Sequence, residues 1–189
     1  MSTYTTNTGI EKPATGAQSG TWGATVNTNF DIIDRAINGV GAVTLSGGTH
    51  TLTTSDGSTS DGQYKLIVFG GSLSGANTIT ISPNDADKIF FVYNNTSGSQ
   101  NIVFSQGSGA NVTVPNGTTK IIYADGGGSG AIVADLTDKF AMGNVNIDGG
   151  AIDGTVIGAN SAAAATVTTL TGSGDVTIDT NTLKVDTSN

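Results

Sequence analysis

The 189-residue chain contains no cysteine. That excludes a disulfide framework, thiolate chemistry and cysteine-ligated zinc. Proline occurs three times, and histidine, tryptophan, arginine and glutamate once each, as His50, Trp22, Arg35 and Glu11. Charged residues make up only 12% of the chain, well below the usual share for a globular domain. Six lysines are scattered and the formal net charge is −8, so no basic patch offers itself to nucleic acid or to an anionic membrane. No apolar run approaches the length of a membrane span, and "MSTYTTNTGIEKPATGAQSG" lacks the apolar centre of a secretory signal. What is abundant is glycine, 28 residues, with much threonine, serine and asparagine. This mixture disfavours long helices and favours short strands joined by many turns.

Four segments follow. Residues 1–20 are polar, punctuated by Pro13 and by glycines, and are expected to form an extended arm rather than core. Residues 21–38, "TWGATVNTNFDIIDRAIN", carry Trp22, Val26, Phe30, Ile33 and Ile37 at spacings of four, four, three and four, which places them on one helical face. That face either covers the domain's own core or docks onto a partner, and Trp22 is the kind of large aromatic that anchors interfaces. Asp31 and Arg35 can pair at i,i+4. Asn38-Gly39 is a plausible stop.

Residues 42–136 read as all-β. Candidate strands are 43–45, 50–54, 64–70, 77–82, 88–94, 100–105, 111–115, 119–125 and 131–136, recurring about every ten residues between turn residues. The pattern predicts an antiparallel β-sandwich-like domain. "LIVF", "IFFVY" and "IIY" are apolar on consecutive residues, which predicts strands buried on both faces. Residues 137–189 are thinner: no aromatic follows Phe140, and "VNID" at 145–148 returns as "VTID" at 176–179. Small aliphatics alternate there, as in Val145/Ile147, Val176/Ile178 and Leu183/Val185. Eleven large aliphatics between 145 and 189 cannot offset the ordering of so long a ribbon, so the segment needs partners, most simply two further copies about a closed axis.

Motifs of catalysis are sparse. A nucleophilic triad needs a histidine, and the only one, His50, sits in a strand-like stretch where a structural role is expected. Most aspartates abut glycine or lie in polar turns. "SDGSTSDG" (55–62) and "PNDADK" (83–88) could offer oxygen ligands to calcium, but neither matches an EF-hand loop and no bidentate glutamate is available. No enzyme, no metal and no cofactor is expected.

The stretches "TGIEKPATGAQSGTWGATVNTNFDIIDRAI", "YNNTSGSQNIVFSQGSGANVTVPNGTTKIIYADG" and "AIDGTVIGANSAAAATVTTLTGSGDVTIDTNTLKVDTSN" resemble, in this order, the N-terminal region, a β-domain and the shaft repeat of tail fibre and virion structural proteins of tailed, especially marine, bacteriophages. The resemblance covers most of the chain. Each motif is low in complexity, and their order is the more specific signal. It implies a mainly β, homotrimeric fibre: a tail-attachment arm and helix over 1–40, a β-domain over 41–140 and the start of a trimeric shaft over 141–189. The helix face Trp22, Val26, Phe30, Ile33 and Ile37 would pack in the trimer or against the tail. Val145, Ile147, Val176, Ile178, Leu183 and Val185 would form the shaft core. Partners would be tail, adaptor or baseplate proteins, with a host-surface receptor met only by a distal tip that these residues do not include. The location would be the virion tail, after assembly in the bacterial cytoplasm. A carbohydrate- or receptor-binding β-module, and a minor capsid decoration or baseplate protein, are the alternatives.

Overall fold

The computed structural model describes residues 1–139. They form three sheets and one long helix. Strands β1 (Thr3–Tyr4) and β2 (Glu11–Lys12) make a small hairpin, followed by helix α1 (Trp22–Asn38). Nine strands then follow: β3 (Val40–Thr44), β4 (Thr49–Thr53), β5 (Leu66–Gly70), β6 (Asn77–Ser82), β7 (Asp87–Asn94), β8 (Ile102–Ser105), β9 (Val112–Val114), β10 (Thr119–Asp125) and β11 (Val133–Asp135). Each coincides with one of the nine stretches picked out by alternation, with ends that differ by up to three residues.

The pairing departs from the expected antiparallel arrangement. One sheet has the order β11-β10-β7-β5-β3 and the other β4-β6-β8-β9. From β3 to β8 each strand joins the sheet opposite to that of the strand before it, so the chain winds between two layers. Neighbours made by this winding are parallel: β3 with β5, β5 with β7, β4 with β6 and β6 with β8. Ala42 pairs with Val68 and Val68 with Tyr93, offsets of 26 and 25 residues. His50 pairs with Ile79 and Ile79 with Phe104, offsets of 29 and 25. Parallel neighbours need a crossover, and here each crossover is a strand of the other sheet. Only the last part reverts to antiparallel pairing, β8 with β9 and β7-β10-β11. A ten-residue strand spacing suits a meander and a two-layer winding equally well, which is why the spacing misled.

Inward residues from both sheets merge into one core, in which Phe69 meets Phe104 edge-on at 5.7 Å. Successive turns stack tightly at the corners. A side chain at Gly71 would lie 2.2 Å from the Leu45 carbonyl oxygen, and one at Gly98 would lie 2.0 Å from that of Leu73. At the far corner the buried Asn94 side chain ties three loops together, donating to the Gln100 (3.0 Å) and Val114 (3.1 Å) carbonyls and accepting from the Thr96 hydroxyl (2.7 Å). Lys120 and Asp135 close one rim of the core as the one ion pair among the described residues, at 2.6 Å.

The expectation of strands buried on both faces also fails. In β5, β7 and the second half of β10 burial alternates, with Ile67, Phe69, Phe90, Val92, Ile122 and Ala124 inward. Their neighbours stand on the outer face of the five-stranded sheet, where no other element of the described chain buries them.

Candidate docking surface

Helix α1 is set by its polar contacts. Asn29 Oδ1 accepts from the Glu11 amide and Asn29 Nδ2 donates to the Glu11 carbonyl, both at 2.9 Å, so one side chain clips β2 to the helix as a strand would. The Arg35 guanidinium lies 4.7 Å from the centre of the Tyr64 ring, a cation–π contact, rather than pairing with Asp31. The Tyr64 ring in turn wedges between the helix end and β3. A side chain at Gly39 would come within 2.9 Å of it and one at Gly41 within 2.5 Å, so glycine is required at both. The helix therefore turns Thr25, Thr28, Asn29, Ile32, Arg35 and Ala36 toward the rest of the molecule, and Ile32 is fully buried.

The five-residue face expected from the spacing exists, but it points the other way. Trp22 and Phe30 are each 63% exposed, Ile37 61% and Ile33 36%, while Val26 is half-buried. The more apolar side of the helix faces solvent. Among the described residues this face covers no part of the core.

Sequence reasoning missed the continuation of this surface. Val40, directly after the helix and 59% exposed, lies in register with Leu66, then Phe91, then Ile121 on the outer sheet face. Ile89 and Tyr123, and Ala42, Val68 and Tyr93, flank that row. The signal was present in the consecutive apolar residues of β5, β7 and β10, which reflect an apolar outer face rather than cover on both sides.

The arm expected over 1–20 is not free. Gln63 Nε2 donates to the carbonyls of Thr8 and Ser58, both at 2.9 Å, Gly57 N–H donates to the Gly9 carbonyl at 2.7 Å, and Asn7 Oδ1 accepts from the Asp87 amide at 3.0 Å. Beneath it, the buried Lys88 ammonium donates to the Asn7 carbonyl. Asn7, Thr8, Gln63, Asp87 and Lys88 line a small cavity of about 140 Å³.

Burial pushes the Lys88 ammonium down from 10.5 to about 8. The folded form therefore loses its proton before the unfolded chain does, and between pH 8 and 10.5 the unfolded chain binds more protons. Stability is expected to rise with pH across that window, by about 3 kcal/mol in all. Lys88→Met is expected to abolish the rise. Chemical denaturation at pH 7 and pH 10 checks both statements; an unchanged pH slope in the variant contradicts them.

The other residues singled out in the sequence do not assemble. His50 is half-buried on β4, facing inward beside Ile79, with no carboxylate partner. Among the described residues no group of three or more metal-binding side chains comes together, and no helix is long and apolar enough to cross a membrane. Val145, Ile147, Val176, Ile178, Leu183 and Val185 lie outside the described residues. Comparison with protein-family models, with curated proteins and with solved structures returned no match.

Proposed function

We propose that this chain is a structural, non-enzymatic protein of a tailed bacteriophage: the tail-proximal part of a homotrimeric fibre that supports host-surface recognition by a distal tip. The observation that carries the reading is the bare apolar stripe of α1, held outward by Asn29 and Arg35. A helix fastened by its polar side keeps its apolar side for a partner. The order of arm, helix, β-domain and alternating aliphatic ribbon, and its resemblance to such fibres, supply the rest. In this reading residues 141–189 begin the trimeric shaft, and the partners at the near end are tail, adaptor or baseplate proteins.

The test uses Trp22→Ala and Phe30→Ala. Both positions are exposed in the single chain, so each variant is expected to keep the β-domain folded, with an unchanged circular dichroism spectrum. Incorporation into particles is expected to fall about tenfold or more, the loss of an interface anchor. Normal incorporation of both variants overturns the assignment, as does a monodisperse monomer when the mass of the 189-residue chain is measured in solution.

One observation favours the carbohydrate-binding reading as a second choice. Tyr4, an exposed aromatic, borders an open cleft of about 470 Å³ shared with Thr3, Thr5, Asp56 and Asp85, side chains suited to sugar hydroxyls. A glycan array with the full chain separates the two readings, because attachment alone requires no glycan binding.

A further inference from the structure

We infer that the exposed stripe of α1 and the outer face of the five-stranded sheet form one continuous seam between three copies of this chain. This rests on the fibre reading and names the occupant of the face that the reading leaves open between trimer and tail.

Four observations choose a copy of the chain over a foreign protein. First, Val26, Phe30, Ile33 and Ile37 are spaced four, three, four, the a/d step of helices that pack side by side. Such a stripe is self-complementary about an axis. Ile33 and Ile37, isoleucines at adjacent d and a positions, favour three or more strands over two.

Second, the stripe does not end with the helix. Val40 is exposed at the start of β3, and its row continues through Leu66 and Phe91 to Ile121. A tail protein gripping only the arm and helix has no reason to extend an apolar row across four strands of the following domain. A neighbouring copy runs alongside both.

Third, Trp22, Phe30, Ile37 and Val40 are each more than half exposed, and Ile89 and Phe91 stand open on the outer sheet face, more large apolar side chains than the scattered single ones of an ordinary surface.

Fourth, each copy carries a formal charge of −8, so charged faces of identical copies repel. The row Val40, Leu66, Phe91 and Ile121 is uncharged; the outer face's charges are the Asp87–Asp125 pair beyond Ile89 and Tyr123, and Lys65, whose ammonium lies 6.0 Å from the centre of the Phe91 ring.

The absence of cysteine makes the test clean. Phe30→Cys, Ile37→Cys and Asp31→Cys are prepared singly in the 189-residue chain and oxidised mildly, with native mass measured in parallel. A disulfide between identical positions of two copies appears as a linked dimer on a non-reducing gel. Linked dimer is expected at positions 30 and 37 at ten or more times the rate at 31, in a particle of trimer mass. A trimer that links no faster at 30 and 37 than at 31 overturns the seam while leaving the fibre reading standing, with the helix then facing another protein. A monomeric parent chain overturns both. As a second measure, Ile37→Asp is expected to convert trimer to monomer, or to raise the midpoint concentration of association at least tenfold, with an unchanged β-domain circular dichroism spectrum. Retention of the full trimer affinity counts against the seam.

Discussion

Asn94→Ala is expected to lower the stability of the β-domain by about 3–5 kcal/mol, a large share of what a domain of this size possesses. The Asn94 side chain is fully buried at the end of β7, in register with Phe69. It donates to the carbonyls of Gln100 and Val114 and accepts from the backbone amide (3.3 Å) and hydroxyl of Thr96. Asn116 completes the knot by donating to the Thr96 carbonyl at 2.6 Å. Truncation leaves two carbonyls and two donors without their partner in a dry corner, at about 1–3 kcal/mol for each group that water cannot reach. The loss is less than additive because Gln100 is only part-buried and its carbonyl can turn toward water. Asn94→Asp is a sharper test. It keeps the acceptor for Thr96 but loses both donors and sets a carboxylate against two carbonyls, so at neutral pH it is expected to be worse than alanine. Urea denaturation of the three proteins decides this, and an aspartate variant as stable as the parent would rule out the carbonyl-bridging role.

Gly71→Ala is expected to cost about 3 kcal/mol or more. Two causes act together. The backbone at Gly71 has φ of +108°, a region that side-chain-bearing residues enter at a cost of about 1–3 kcal/mol. The added methyl group would also lie 2.2 Å from the Leu45 carbonyl oxygen, which is backbone and cannot swing aside. Relief requires the corner between β5 and β6 to move away from the corner between β3 and β4. That would break the hydrogen bonds from Leu45 to Gly70 (2.8 Å) and from Ser97 to Gly71 (2.8 Å), which hold successive turns of the winding in register. Gly75→Ala is the control: it has open space around it and is expected to change stability by less than about 1 kcal/mol. Equal thermal midpoints for the two variants would mean that the corners do not bear on each other as described.

The strands and the helix were legible in the residues because alternation and the 3.6-residue period are local properties. A strand needs outward and inward side chains in turn whatever it pairs with, so β6 and β10 fall on the stretches marked out as 77–82 and 119–125. The apolar stripe from Trp22 to Ile37 was legible for the same reason.

The pairing was not legible. Whether β5 follows β3 as an antiparallel neighbour or returns 26 residues later as a parallel one depends on contacts between residues far apart in the chain. Both arrangements bury the same alternate side chains, so no local pattern separates them. The direction of the helix was hidden for a different reason. A hydrophobic stripe predicts an inward face only when the hydrophobic effect alone decides orientation. Here the double clip of Asn29 on Glu11, the stacking of Arg35 on Tyr64 and the two glycines that admit the Tyr64 ring fasten the opposite side. Composition and periodicity alone thus settle that this is a cysteine-free, short-stranded β protein with one amphipathic helix. That its strands wind in parallel through two layers, and that its helix shows its apolar side to the outside, are decided by contacts between residues 18 to 29 positions apart, which only the folded chain brings together.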